Sequence, residues 1–86
     1  MRFLVGVDLG GTNIVVGTVA EDGSALHGVR ADWTHPEEGA PAVIARIARL
    51  VDESVAEAGR VAGITRERIA GVGIGSPGPL DREAGM

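Results

Sequence analysis

Asp8-Leu9-Gly10-Gly11-Thr12 gathers a carboxylate, two glycines and a hydroxyl within five residues. A carboxylate at a strand end can hold Mg²⁺ directly or through water, glycines let backbone N–H groups approach phosphate oxygens, and the threonine hydroxyl adds a donor. These parts suit an Mg·ATP phosphate site. They also suit a hairpin turn in which Asp8 and Thr12 merely cap backbone groups. A second glycine-rich stretch, Gly73-Ile74-Gly75-Ser76-Pro77-Gly78, fits G-x-G-x-x-G by letter. A dinucleotide fingerprint needs a helix to begin in that loop, and Pro77-Gly78-Pro79 opposes one. The stretch therefore reads as a rigid proline turn. It either exits a strand or presents backbone groups and the Ser76 hydroxyl to a ligand, and Asp81 just beyond is a turn residue or a group that supports such a site.

Other polar residues read as structural. His27 and His35 have no metal spacing, and Trp33 is a lone aromatic. Glu37-Glu38 and Asp52-Glu53 resemble paired carboxylates but fit a helix start and a solvated helix face. There is no cysteine, which excludes disulfides, zinc knuckles and thiolate chemistry within these residues. All eight basic residues are arginine. A Walker A loop and any Schiff-base mechanism need a lysine, so neither can be built here.

The elements that must position these residues follow from the apolar pattern. Strands are predicted at about 3–9 and 13–20, rich in β-branched residues and joined by the glycine turn. Glu21-Asp22-Gly23-Ser24 is a second turn signal, followed by a third, weaker strand over Ala25 to Trp33. Val43, Ile44, Ile47, Leu50, Val51, Val55 and Ala58 recur at helical spacing, which predicts one amphipathic helix over about 40–58. Pro41 fits its first turn, Glu37 and Glu38 its positive end, and Gly59 its C-cap. Its polar face carries Arg46, Arg49, Asp52, Glu53 and Glu57. Thr65 to Ile69 reads as one capped turn, and Ala70 to Ser76 as a fourth strand.

The order is thus βββαβ. A strand reached through a crossover helix joins parallel to an earlier strand, so strand four should lie beside strand one with their carboxyl ends at one edge. The two glycine-rich loops would then line one pocket, as in sheets that bind ligands beyond the ends of parallel strands. Strand two is apolar on both faces, yet one long helix can cover only one. Together with a polar, loop-like end at Arg82 to Met86, this leads us to expect the N-terminal part of a larger α/β domain.

Composition supports a folded chain and narrows its partners. Of the 86 residues 44% are apolar, enough to offset chain entropy, and 14 glycines suit a loop-built binding site. A net charge of −4 repels nucleic acid and anionic membrane, and no apolar run is long enough for a signal peptide or a span. Cytoplasmic residence is the default expectation.

Val5-Gly6-Val7-Asp8-Leu9-Gly10-Gly11-Thr12-Asn13-Ile14, followed about sixty residues on by Ile69-Ala70-Gly71-Val72-Gly73-Ile74-Gly75-Ser76-Pro77-Gly78-Pro79-Leu80-Asp81, resembles the start of the ROK-family sugar kinases, bacterial glucokinases above all. The likeness covers essentially the whole chain. It implies an actin-like, ribonuclease-H-like ATPase fold with a mixed sheet, residues 1–86 being the incomplete N-terminal part of the first of two domains. It also implies ATP-dependent phosphorylation of a hexose, glucose to glucose 6-phosphate. On that resemblance Asp8, Gly10, Gly11 and Thr12 bind the ATP phosphates, with Asp8 near Mg²⁺. Gly75, Ser76, Pro77 and Gly78 form a loop on the sugar side. Asn13 stands where many members have lysine, which removes a cation without disturbing the motif. The family's catalytic aspartate, sugar-binding Glu and His residues, cysteine zinc cluster and adenosine pocket are expected after Met86, so these residues alone should be inactive. Hexose and ATP are the implied partners and a homodimer or higher homo-oligomer the implied state. Two alternatives are a sugar-responsive repressor of the same family and a non-sugar actin-like ATP-binding protein. The acidic balance and the short stretch before Asp8 disfavour the first, and the Gly-Ser-Pro-Gly-Pro-Leu-Asp segment disfavours the second.

Overall fold

Side-chain alternation decides which face of each strand meets the core. In β1 (Phe3–Leu9), Phe3, Val5 and Val7 point to one side; in β2 (Asn13–Ala20), Ile14, Val16, Thr18 and Ala20 do the same, and all seven are buried. A computed structural model describes residues 2–75 of the chain. It adds β3 (Leu26–Trp33), a helix α1 (Ala40–Ala62) and β4 (Ile69–Gly75), with single 3₁₀ turns at Pro36–Glu38 and Arg66–Arg68. The sheet order is β3-β2-β1-β4. β1 and β3 run antiparallel to β2, while β4 runs parallel to β1, as the crossover through α1 requires.

The helix packs on one face of the sheet. Val5, Val7, Ile14, Val16, Leu50 and Val55 form the main buried cluster, and Phe3, Ala20, Ala58 and Ile64 form a second at the opposite end of the strands. Between them, Thr18 Oγ1 and Ser54 Oγ share a buried hydrogen bond of 2.9 Å that ties β2 to α1. The helix lies over β3 and β2 and only reaches β1. Val72 and Ile74 of β4, in register with Val5 and Val7, are consequently 53% and 60% exposed. Leu4, Leu26 and Trp33 are also exposed, and no described element covers the sheet face away from α1.

A bulge brings β3 close to the helix. The β2–β3 register shifts between Val16 and Thr18, and within the shift Gly28 adopts φ 63°. A Cβ there would lie 2.3 Å from the Ser54 carbonyl oxygen, so only glycine admits the approach. Beside it, Arg30 pairs with Glu57 at 3.1 Å and Glu53 at 3.9 Å, and Arg49 pairs with Asp32.

Several details differ from the sequence expectations. The helix runs four residues further than 58, because Gly59 keeps ordinary helical φ and the left-handed terminator is Gly63, at φ 70°. The Gly63 N–H bonds the Gly59 carbonyl at 3.0 Å, and Gly59 instead makes room for the returning chain, its Cβ position lying 3.3 Å from the Ile64 carbonyl. Glu37 and Glu38 belong to the preceding 3₁₀ turn rather than to the first turn of α1. Ile44 falls outside the buried stripe, at 64% exposure, and Ser54 lies inside it. Glu57 turns toward Arg30 of β3, whereas Asp52 is exposed and Glu53 pairs along the helix surface with Arg49 at 2.8 Å, as a solvated face implies. The third strand begins at Leu26 and the fourth spans Ile69–Gly75. Between β2 and β3, the Asp22 carboxylate accepts from the Ser24 N–H at 2.9 Å and Gly23 has φ 79°, the turn that Asp-Gly predicts. No described helix is long and apolar enough to cross a membrane.

Candidate functional site

The parallel pairing of β1 and β4 sets Asp8 opposite Gly75. The strand ends that carry the two glycine-rich motifs therefore share one edge of the sheet. Asp8, half-buried, is flanked on its other side by Val15 of β2. Ser76, Pro77, Gly78 and Asp81 lie outside the described residues, so of the sugar-side loop only Gly75 has a described position.

Beyond Leu9 the chain reverses over Gly10 to Asn13, with the Gly10 N–H donating to the Asn13 carbonyl at 2.9 Å. Neither glycine of this turn needs a left-handed backbone. Gly10 is constrained by its neighbour, since a Cβ would lie 3.2 Å from the Asn13 carbonyl oxygen. Gly11 is different: it is exposed, and a Cβ there would meet nothing within 4 Å. Nothing in the described fold requires a glycine at 11, and the same holds for the space around Gly71 and Gly73. Thr12 is exposed beside it.

One residue holding this turn has no place in either motif. Thr34, 4% exposed, donates its hydroxyl to the Gly10 carbonyl at 2.9 Å and its N–H to the Thr12 carbonyl at 2.8 Å. The Thr34 carbonyl in turn accepts from the Arg46 guanidinium at 2.7 Å, and Arg46 also pairs with Glu38. A register count could have located Thr34. Asn13 pairs with Trp33, so the residue after Trp33 must fall beside Thr12.

The chain leaves Thr34 through a left-handed His35, φ 51°, into Pro36. The His35 ring nitrogen lies 3.1 Å from the Glu37 carboxylate. The backbone N–H of Glu37 holds that carboxyl below its ordinary range, helped by the imidazole and by Arg46. Gly11, Thr12, Trp33, His35, Pro36 and Glu37 line a shallow recess of about 210 Å³ next to the turn. His35, Glu37 and Glu38 bring their ligand atoms within 4.8 Å of one another, a grouping that their sequence spacing does not suggest. All three are exposed, and the Glu38 carboxylate is engaged by Arg46. On β3, facing α1, the Asp32 carboxyl is held low first by the Trp33 N–H and then by Arg49 and Arg46.

Comparison with known proteins places the chain in a family. The model described as the ROK family matches residues 4–86. The chain is similar to the glucokinase of Thermotoga maritima, 47% identical over 83 residues, which are 96% of this chain and 23% of that protein. The chain thus spans about a quarter of the length of the relative it matches. No solved structure matches it.

Proposed function

The chain belongs to the ROK family, and from that premise we propose that the protein transfers the γ-phosphoryl group of ATP to a hexose, with glucose and its 6-hydroxyl the first choice. In this reading Gly10, Gly11 and Thr12 cradle the transferred phosphate, Gly10 by shaping the turn since its own N–H is spent on the Asn13 carbonyl, Asp8 stands at the metal, and the segment from Gly75 through Ser76, Pro77 and Gly78 borders the sugar. The observation that carries it is the register pair of Asp8 with Gly75, which sets the carboxylate of one motif against the start of the other at the carboxyl ends of two parallel strands. Gly11 is compatible with this, because it is exposed and carries no side chain to cover the backbone of the turn.

The residues present fit the group. The half-buried Asp8 carboxylate and the exposed Thr12 hydroxyl are hard oxygen donors of the kind Mg²⁺ takes, and they would hold it directly or through water. When bound, Mg²⁺ offsets the negative charge of the transferred phosphoryl group. The protein's own part is positioning. Phosphoryl transfer involves little covalent chemistry for side chains to perform, so the turn acts by offering backbone donors at a fixed place. Asp8 is committed to the metal in this reading, and the carboxylate that accepts the sugar hydroxyl proton lies outside residues 1–86.

Asp8→Ala in the complete protein tests the reading. We expect kcat with ATP and glucose to fall by about a hundredfold or more while the far-UV spectrum is unchanged, the usual scale for losing one preorganised electrostatic group. A fall of much less than about tenfold would remove Asp8 from the metal. Hydrolysis of ATP at the same rate with and without hexose would point instead to a non-sugar ATPase.

A further inference from the structure

The turn between β1 and β2 is gripped from one side by Thr34, which bonds the carbonyl oxygens of both Gly10 and Thr12. In a trans peptide the N–H points opposite to the C=O. Fixing those two oxygens on Thr34 therefore aims the N–H groups of Gly11 and Asn13 away from it. It also keeps away from that side two carbonyl dipoles that would repel an anion. Thr34 is itself held on several sides. It is buried, its own carbonyl accepts from Arg46, and the chain on its far side is bent into the left-handed His35. Arg46 stands on α1, so the helix is tied to this side of the turn through Thr34.

We propose that Thr34 is the positioning residue of the phosphate turn, anchored to α1 by Arg46: it sets the direction of the turn's N–H donors and so the affinity for the nucleotide's phosphates. This rests on the reading of residues 8–12 as the ATP phosphate site. Thr34 touches no substrate, so its effect should fall on the nucleotide and leave the sugar alone.

The test uses the complete protein with MgATP and glucose. Thr34→Val keeps volume and β-branching but deletes the hydroxyl donor, and we expect KM for MgATP to rise about tenfold with KM for glucose changed by less than about twofold. Thr34→Ser, which retains the donor, should restore the wild-type value. An unchanged KM for MgATP in Thr34→Val, or equal rises in both KM values, overturns the proposal. Gly11→Val serves as the reference, because it fills the space that the phosphate is proposed to use. If it raises KM for MgATP and Thr34→Val does not, the positioning role fails and the phosphate turn stands; if neither variant raises it, both readings fail. Should Thr34→Val not fold, Arg46→Met gives the same reading from the anchor: a rise of about threefold in KM for MgATP alone supports the proposal, and no rise overturns it.

Discussion

Replacing Gly28 by alanine should loosen the joint between sheet and helix, and its size can be worked out against a matched control. Gly28 and Gly63 both sit in the left-handed region, at φ 63° and 70°. An L side chain there costs about 1–2 kcal/mol, offset by about 0.4–1 kcal/mol because alanine has less freedom to lose on folding. At Gly63 the added Cβ meets nothing within 4 Å, so Gly63→Ala should lose about 1 kcal/mol and no more. At Gly28 the same Cβ would stand 2.3 Å from the Ser54 carbonyl oxygen and 3.1 Å from its Cα. Those are backbone atoms of the middle of α1, so relief requires the helix to move off β3. That movement strains the 2.9 Å bond between Thr18 and Ser54 and opens the core beneath Leu50 and Val55. Overpacking of this kind adds about 1–3 kcal/mol, which puts Gly28→Ala at about 3 kcal/mol and the difference between the two variants at about 2 kcal/mol. Urea unfolding of the complete protein and both variants, followed by far-UV circular dichroism with the m-values compared, measures it. Equal losses in the two variants would refute the idea that close approach, rather than backbone conformation, requires Gly28.

Other perturbations probe the polar contacts between helix and sheet. Ser54→Ala leaves the buried Thr18 hydroxyl without the partner it has at 2.9 Å and should cost about 1–2 kcal/mol; adding Thr18→Val should recover part of that loss, and a double-mutant cycle with no coupling would count against the bond. Asp32 predicts a pH dependence. The Trp33 N–H, and then Arg49 and Arg46, hold its carboxyl below the ordinary range in the folded state. A depressed folded value contributes stability above the ordinary carboxylate range and loses it as pH falls through that folded value. The melting temperature of the native protein should therefore drop more steeply than that of Asp32→Asn below about pH 4, and parallel curves would remove Asp32 from the acid response.

Much of this fold can be read from local pattern. The β1 and β2 limits follow from runs of β-branched residues broken at Gly10-Gly11, and the turn after β2 from Asp22-Gly23, whose backbone signals act over a few residues. The helix stripe is equally local at Ile47, Leu50, Val51 and Val55. Its end is not: of two candidate glycines, Gly59 stays inside the helix and Gly63 takes the left-handed conformation that ends it. A carboxylate on the helix shows the same limit. Glu57 looks like a solvent-facing residue until β3 brings Arg30 beside it.

For the candidate site, the residue types and the topology are properties of the sequence. Asp8 and the glycines at 10 and 11 are there to be read, and a helix between two strands implies that β4 runs parallel to β1, because the helix returns the chain to the end of the sheet from which β1 also starts. What only the tertiary structure decided is the exact neighbour at each position. It set Asp8 against Gly75, left open space where a side chain at Gly11 would stand, and placed Thr34 on the two carbonyls of the turn. Pattern and propensity act through spacing along the chain. The grip of Thr34 on Gly10 spans 24 residues and depends on strand register, a bulge at Gly28 and an arginine on the helix. Those three meet only when the sheet and helix pack.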